Sequence, residues 1–457
     1  MSMASISPST ANTPVYVRKD MQEALPPPAS TTGIQGWVRE HLLSSPLNIA
    51  LTLLGLALFL WIVPGILEFL IFKAVWTGVD RTACLAAPDG TLPGACWAFV
   101  QDRFQYFIYA SYPVSERWRV NIFFVMAAIG VGWMLWVNAP RRDLGMLWMF
   151  VLTPFLTYGL LSGNNPLAFM LYPFYLVTGQ SILGGIIGTL CFYALGFLIA
   201  RMQALSVRQA AVAGLVAVIG VAVVGFLFAL LWNALNLAIV TTDRWGGLMV
   251  TLIVAGVGIV VSLPVGVLLA LGRRSKLPIV KFFSVAFIEF VRGVPLITVL
   301  FMANTMLPLF LPDNYSPDKL LRALVGIALF ASAYMAEVVR AGLQALPKGQ
   351  YEGAMAVGLG YWQMMRLIIL PQALKVTIPN IVNNYIGLFK DTSLLLIVGI
   401  FDFLKAIETA RIDPQWAAPT TSATGYAFAA LVYFAFCYSM GRYARFMERR
   451  LSKGDHR

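Results

Sequence analysis

The chain has 457 residues, 59% of them hydrophobic and only 12% charged, and its mean hydropathy is +0.76. A soluble domain carries roughly 25% charged and about 45–50% apolar residues, so a water-soluble core is excluded and lipid must solvate most of the chain. The net charge of +12 does not point to nucleic acid, because its basic residues stand in short clusters beside apolar runs, the positive-inside arrangement of a membrane protein.

Residues 1–45 are rich in Ser, Thr and Pro and read as a disordered cytoplasmic tail, with no short apolar region and cleavage site ahead of the first span. A spanning helix needs about 20 mostly apolar residues. Ten stretches qualify, near 47–72, 120–137, 144–161, 184–200, 210–232, 246–271, 280–308, 321–346, 376–408 (interrupted) and 425–446. This predicts an all-α polytopic membrane protein of about ten transmembrane helices. A polar loop, 73–119, separates the first span from the second. Between the third and fourth spans, Asn164-Asn165-Pro166 and Pro173 break the pattern. Lys and Arg cluster at Arg141-Arg142, Arg201 with Arg208, Arg273-Arg274-Lys276, Lys348/Arg366/Lys375 and beyond Arg442, all on one side of this map. That side is the cytoplasm, and an even number of spans puts both termini there, including the short tail 451–457. The chain divides near residue 240: five spans over 46–240 hold almost no intramembrane charge and read as scaffold, and a second unit covers 241–450.

On this map loop 73–119 faces outward. Cys84 and Cys96 then lie in an oxidising compartment. They form either a disulfide, which would constrain the chain by about 3 kcal/mol, or two free thiols; spacing does not decide. Cys191 and Cys437, inside apolar runs, read as small buried side chains. His41 and His456 both lie outside the spans, so no His/Cys metal cluster is expected.

Several charges fall where a span should avoid them: Arg292, Glu337, Arg340, Lys390 and Asp391. Arg292 is about twelve residues into its span, roughly 18 Å at 1.5 Å per residue, near mid-bilayer. Such residues usually face a protein interior or a watery cavity. Glu289/Arg292 and Glu337/Arg340 are spaced i,i+3, which favours pairing on one helix face. These are either structural ion pairs or the lining of a path for a zwitterionic amino acid. In the second case the carboxylate would meet Arg292 or a helix N-terminus, and the ammonium would meet Glu337 or Asp391. Lys390-Asp391-Thr392-Ser393 interrupts an apolar run, and its Asp, Thr and Ser side chains suit a helix break. Pro264 and Pro295 are candidate kinks.

The most informative stretch is PKGQYEGAMAVGLGYWQMMRLIILPQALKVTIP, 347–379. It is too polar to cross, yet its apolar residues have helical spacing. Gly358-Leu359-Gly360 divides it into two short helices, and Pro371 limits the second. Such a knuckle suits insertion into a groove on a soluble partner.

Here the chain resembles the permease subunits of bacterial binding-protein-dependent ABC importers. Their cytoplasmic loop carries Glu-Ala-Ala, three residues, Gly, nine residues, Ile, any residue, Leu-Pro. This chain has Glu352-Gly353-Ala354, Gly358, Ile368, Leu370 and Pro371 at matching spacing. Gly353 departs from the pattern, which weakens the local helix by up to about 1 kcal/mol but keeps the residue small. Glu289-Phe290-Val291-Arg292-Gly293-Val294-Pro295-Leu296, Glu337-Val338-Val339-Arg340, Pro347-Lys348-Gly349-Gln350 and Lys390-Asp391-Thr392-Ser393-Leu394 are similar to the polar amino-acid permeases over about 245–450. The N-terminal spans and paired-Cys loop are similar to the M subunit of the general L-amino-acid permease.

The resemblance implies a type I ABC importer core with its coupling loop at 347–375. It implies two related permeases, two ATPase subunits that bind ATP and Mg, and a periplasmic amino-acid-binding protein. No G-x-x-x-x-G-K-[ST] phosphate loop occurs in the chain, so no cofactor is expected in it and ATP chemistry must be borrowed. Two other classes fit less well. A self-powered secondary transporter would leave the knuckle unexplained and should show inverted repeats. A membrane enzyme would need a nucleophile–base pair or metal ligands.

Overall fold

The computed structural model describes residues 33–452 apart from 87, 89, 137, 172–181, 203–205 and 312–316. Pro173 and most of the expected N-terminal tail therefore lie outside the described residues. The chain forms two compact units, 1–73 and 74–457.

The first unit holds α1 (Gly33–His41), within the stretch expected to be disordered, and α2 (Pro46–Leu67), extended by a π turn over Glu68–Phe72. Ser45 starts α2 by accepting a hydrogen bond from the Asn48 amide at 3.2 Å, and Pro46 follows where its missing N–H costs nothing. No side chain of α2 is buried. A helix apolar on every face and joined to no core is stable where lipid replaces the core.

The second unit comprises α3 (Trp97–Tyr109), α4 (Arg117–Leu135), α5 (Arg142–Leu147), α6 (Thr153–Ser162), α7 (Ile182–Met202), α8 (Val207–Ala234), α9 (Gly247–Arg273) and α10 (Pro278–Gly293). Then come α11 (Leu296–Phe301), α12 (Lys319–Ala345), α13 (Lys348–Ala356), α14 (Tyr361–Met364), α15 (Leu370–Asp391), α16 (Phe403–Ala410) and α17 (Thr421–Ser452). Among the described residues eight helices are long and apolar enough to cross a membrane, nine if the α10–α11 pair is one span. The tenth expected span is the shorter apolar helix Gly184–Ala200. The α10–α11 pair bends by 106° at Gly293–Pro295, where Pro295 lacks the amide that would continue the ladder. Pro264 lies inside α9 without ending it.

Helix α9 packs on α12, α12 on α15 and α15 on α17. Helices α7 and α8 pair through small residues, with Gly196 facing Gly214 and Ala217, the usual way membrane helices approach closely. Cys191 is exposed and Cys437 only half-buried, contrary to the buried side chains expected. Lipid-facing surface is as apolar as a core, so hydropathy did not distinguish the two.

The expected polar loop 73–119 is folded instead. It contains α3 and a 3-10 turn, Arg81–Cys84, and it packs on α9, α16 and α17. Asp102 and Arg103 made the segment too polar to read as a span, but Phe99, Val100 and Phe107 form one buried face. Cys84 and Cys96 are joined through their sulfurs with Cα atoms 5.8 Å apart. The Cys96 amide donates to Thr424 Oγ1 at 2.8 Å. Arg103 pairs with Asp413 at 2.9 Å, and Trp416, fully buried, donates its indole N–H to Asp102 at 2.8 Å. This cap clamps the connection between α16 and α17.

Cap and helices meet at Gly247, whose φ is +66°. A Cβ there would lie 2.5 Å from the Phe107 carbonyl oxygen and 2.7 Å from that of Ile108. Only glycine fits both the dihedral and the space. The Gly247 amide donates to the Phe401 carbonyl at 2.8 Å. Next to it, Asp402 is completely buried and caps α16, accepting from the Leu404 and Lys405 amides at 3.1 and 3.0 Å.

Burial pushes the Asp402 carboxyl up to about 7, against the pull of those amides and with the charge of Glu408 adding to the rise. The folded chain then holds a proton that the unfolded chain, with a carboxyl near 3.9, has released. Stability therefore falls as pH rises from about 4 to about 7 and is level above that. Asp402→Asn keeps a good cap and should flatten this slope, stabilising the protein at pH 8 by roughly 2–4 kcal/mol. Thermal unfolding at pH 5 and pH 8 checks this; an identical slope in the variant rules it out.

Candidate functional site

The charges expected inside the membrane gather around one carboxylate. Glu337, on α12, accepts from Arg273 Nη1 at 2.9 Å and from Arg340 Nη2 at 2.8 Å, and Arg292 Nη1 stands 3.6 Å away. Arg273 Nη1 also reaches Glu289 at 2.8 Å. The i,i+3 pair Glu337/Arg340 forms, whereas Glu289 and Arg292 pair across helices and not with each other. Arg292 stands in the last turn of α10, where the ends of α9 and α12 offer nearer partners. The Arg292 guanidinium also lies over the Tyr334 ring, 5.6 Å from its centre, a cation–π contact. Its ion pair is the longest of the four, so Arg292 is the least committed of the three arginines.

Counting residues put Arg292 near mid-bilayer. That count assumes a helix running straight into the membrane, whereas Glu289, eleven residues beyond Pro278, is bonded to Arg273 at the end of α9. The Arg292 partner Glu337 is also bonded to Arg273, the last residue of α9, so the cluster stands level with the end of that helix. In the sequence Arg273 is one of a cluster of loop charges, Arg273-Arg274-Lys276. The clue in the sequence was its place at the border of an apolar run, the nearest cation to two carboxylates that needed one.

The helix break at Asp391 is a separate place. A Cβ on Gly258 would touch Leu388 at 2.8 Å, and Arg273 lies fifteen residues further along α9, about 22 Å away. Helix α15 ends at Asp391 and passes into a 3-10 turn, Thr392–Leu396. Thr392 donates to the Phe389 carbonyl and Ser393 to the Lys390 carbonyl, both at 2.8 Å. These hydroxyls serve carbonyls freed where the α-helix stops. The structure therefore brings Arg292 and Glu337 together, and Asp391, Thr392 and Ser393 together, but not the two groups.

The loop 347–375 forms a knuckle at the same end as the Glu337 cluster. Helix α13 stops at a turn where Gly358 has φ +78° and donates to the Met355 carbonyl at 2.9 Å. This is a left-handed helix cap. A Cβ on Gly358 would meet nothing within 4 Å, so its dihedral, not close packing, calls for glycine. Ala354 is buried among Met364, Met365 and Ile369, against Met335 and Val339 of α12. Glu352, Gly353 and Pro371 are exposed, and Ile368 and Leu370 half-buried. Outward stand Met355, Val357, Tyr361, Trp362 and Leu367, with Val357 77% and Trp362 68% exposed.

The second helix of the knuckle is not separate. Helix α14 runs through a π turn, Met365–Ile369, directly into α15, so Pro371 does not end it. Pro371 occupies the second position of α15, where the π turn has already rearranged the ladder.

Residues 262–453 match the family model of binding-protein-dependent transport system inner membrane components. Over 432 residues, 94% of this chain and 96% of the other, the chain is 41% identical to the inner membrane amino-acid ABC transporter permease protein YhdY of Escherichia coli K12. It is 43% identical, over 97% of this chain and 99% of the other, to the glutamate/glutamine/aspartate/asparagine transport system permease protein BztC of Rhodobacter capsulatus. The chain belongs to the amino-acid ABC transporter permeases. It is a multi-pass inner-membrane transport subunit and not an enzyme. The family also has shorter members: the glutamate/aspartate import permease GltK of Escherichia coli matches 45% of this chain over 91% of its own length, at 33% identity.

Removing the central carboxylate should be felt at once in this permease. Glu337→Gln leaves three arginines facing each other with one remaining carboxylate, and should cost about 2 kcal/mol. Glu289→Gln, with its side chain 55% exposed, should cost under about 1 kcal/mol. Thermal unfolding of the two purified variants checks the order; equal effects would deny Glu337 its central place.

Proposed function

We propose that this chain pairs with a second, related permease to form the translocation path of an ATP-driven importer for L-amino acids. Of two ATPase subunits, which bind ATP and Mg, one docks on the knuckle 347–375 and the other on the related permease. A periplasmic amino-acid-binding protein delivers substrate from the other side, and both termini of this chain are cytoplasmic. The observation that carries this proposal is the knuckle: an apolar surface of Met355, Val357, Trp362 and Leu367 exposed on a loop too polar to enter lipid. A groove-seeking surface of this kind is what helix-in-groove docking needs. Glu352, Gly353, Ala354, Gly358, Ile368, Leu370 and Pro371 build and terminate it.

ATP-driven closure of the partners would move the knuckle, and through α12 and α15 the path between them. Arg292, Glu337, Asp391, Thr392 and Ser393 are the residues we assign to that path. Arg292 suits a substrate carboxylate, since three arginines against two carboxylates leave the cluster with excess positive charge. Alternating access then requires that substrate and ATP each favour a different one of two states.

The experiment is an affinity pull-down of the full chain from its native membrane. A second permease and an ATPase with a phosphate loop should co-purify. A chain that purifies alone and moves amino acids under an ion gradient in liposomes would overturn the proposal in favour of a secondary transporter. Gly358→Leu should strain the knuckle by about 1–2 kcal/mol through its positive φ. Membrane insertion should be unchanged and uptake reduced; normal uptake would count against a coupling role.

A further inference from the structure

The charge cluster and the knuckle are joined by one hydroxyl group. Tyr351, on α13, donates to the Leu343 carbonyl on α12 at 2.9 Å and accepts from Arg274 Nη1 at 3.0 Å. The same Arg274 guanidinium lies over the Tyr351 ring, 5.4 Å from its centre. Arg274 directly follows Arg273, whose Nη1 bridges Glu289 on α10 and Glu337 on α12. A short path therefore runs from α13 through the Tyr351 hydroxyl to Arg274, across one peptide bond to Arg273, and on to the carboxylates of two further helices.

We propose that Tyr351 and Arg274 are positioning residues that latch the knuckle to the end of α9, so that displacement of α13 loads the Arg273 ion pairs. The latch deepens the proposed coupling function and rests on it.

Three features of the contact support a transmitting role. It joins α13, the short helix that carries Glu352 and Ala354, to the end of α9, whose Ala270 and Leu271 share the knuckle's apolar cluster. The contact is directional, because a hydroxyl held by a donor and an acceptor at once fixes the ring in rotation as well as in place. It also ends on the group shared by two ion pairs, so a small shift of α9's last turn changes two contacts together. A second polar tie from α13, Gln350 Oε1 accepting from Gln372 Nε2 at 3.0 Å, leads to α15 and away from the cluster.

The test uses the whole complex in liposomes, with ATP hydrolysis and amino-acid uptake measured side by side. Tyr351→Phe keeps the ring over Arg274 and removes only the hydroxyl. It should leave ATP hydrolysis near the wild-type rate and lower uptake per ATP about fivefold or more, the lower range of coupling between sites. Arg274→Ala should do the same, and the double variant should be no worse than either single one, because both break one device. Additive losses, or uptake per ATP unchanged in Tyr351→Phe, would overturn the latch. A fall in hydrolysis and uptake together would do so as well, since that is the mark of a purely structural defect. Trp362→Asp separates this from the reading beneath it. If that variant keeps its ATPase subunits and its uptake, docking on the knuckle itself is wrong; if it loses them while Tyr351→Phe behaves as wild type, only the latch fails.

Discussion

The Glu337 carboxylate holds the ends of three helices at once. Its two oxygens are shared by Arg273 of α9, Arg292 of α10 and Arg340 of its own helix. Charges this close to hydrocarbon persist only when paired and hydrogen-bonded. The constraint is mutual: α10 can bend away at Pro295 because Arg292 is met on the far side, and α9 can end at Arg273 because its last side chain is satisfied. The knuckle then has a fixed base against which Ala354, Met364 and Ile369 pack.

Much of this was legible in the sequence because the physics was local. Apolar length marked the spans, and each of the ten stretches corresponds to a helix, a bent pair or a shorter apolar helix. The motif from Glu352 to Pro371 marked the knuckle, and Pro295 marked the bend. The clustered hydroxyls of Thr392 and Ser393 marked the end of α15.

What stayed hidden depends on distant parts of the chain. Glu289 and Arg292 have the right spacing to pair, but their partners, Arg273 and Glu337, stand on neighbouring helices. Segment 74–113 looked like a loop because polar and apolar residues alternate there without reaching span length, and only the surface of α16 and α17 makes its apolar face a core. Gly358 was legible as a break between two helices, but its left-handed φ was not. Asp402, between two apolar stretches, gave no hint that it would be sealed beneath the cap.

The cap also sets an order of assembly. Its anchors lie more than three hundred residues downstream: the Cys96 amide finds Thr424, and Asp102 finds Trp416, across separations of 328 and 314 residues. Helix α9 covers part of this face, but Phe99 meets Trp416 and Phe107 meets Phe428, both far downstream. As the chain is made, the segment must wait, with its aromatic face uncovered, until the last helix is in the membrane. Contacts so distant in sequence form slowly. A chain that stops short of α17 thus carries, near its beginning, an exposed aromatic face that the finished protein does not show.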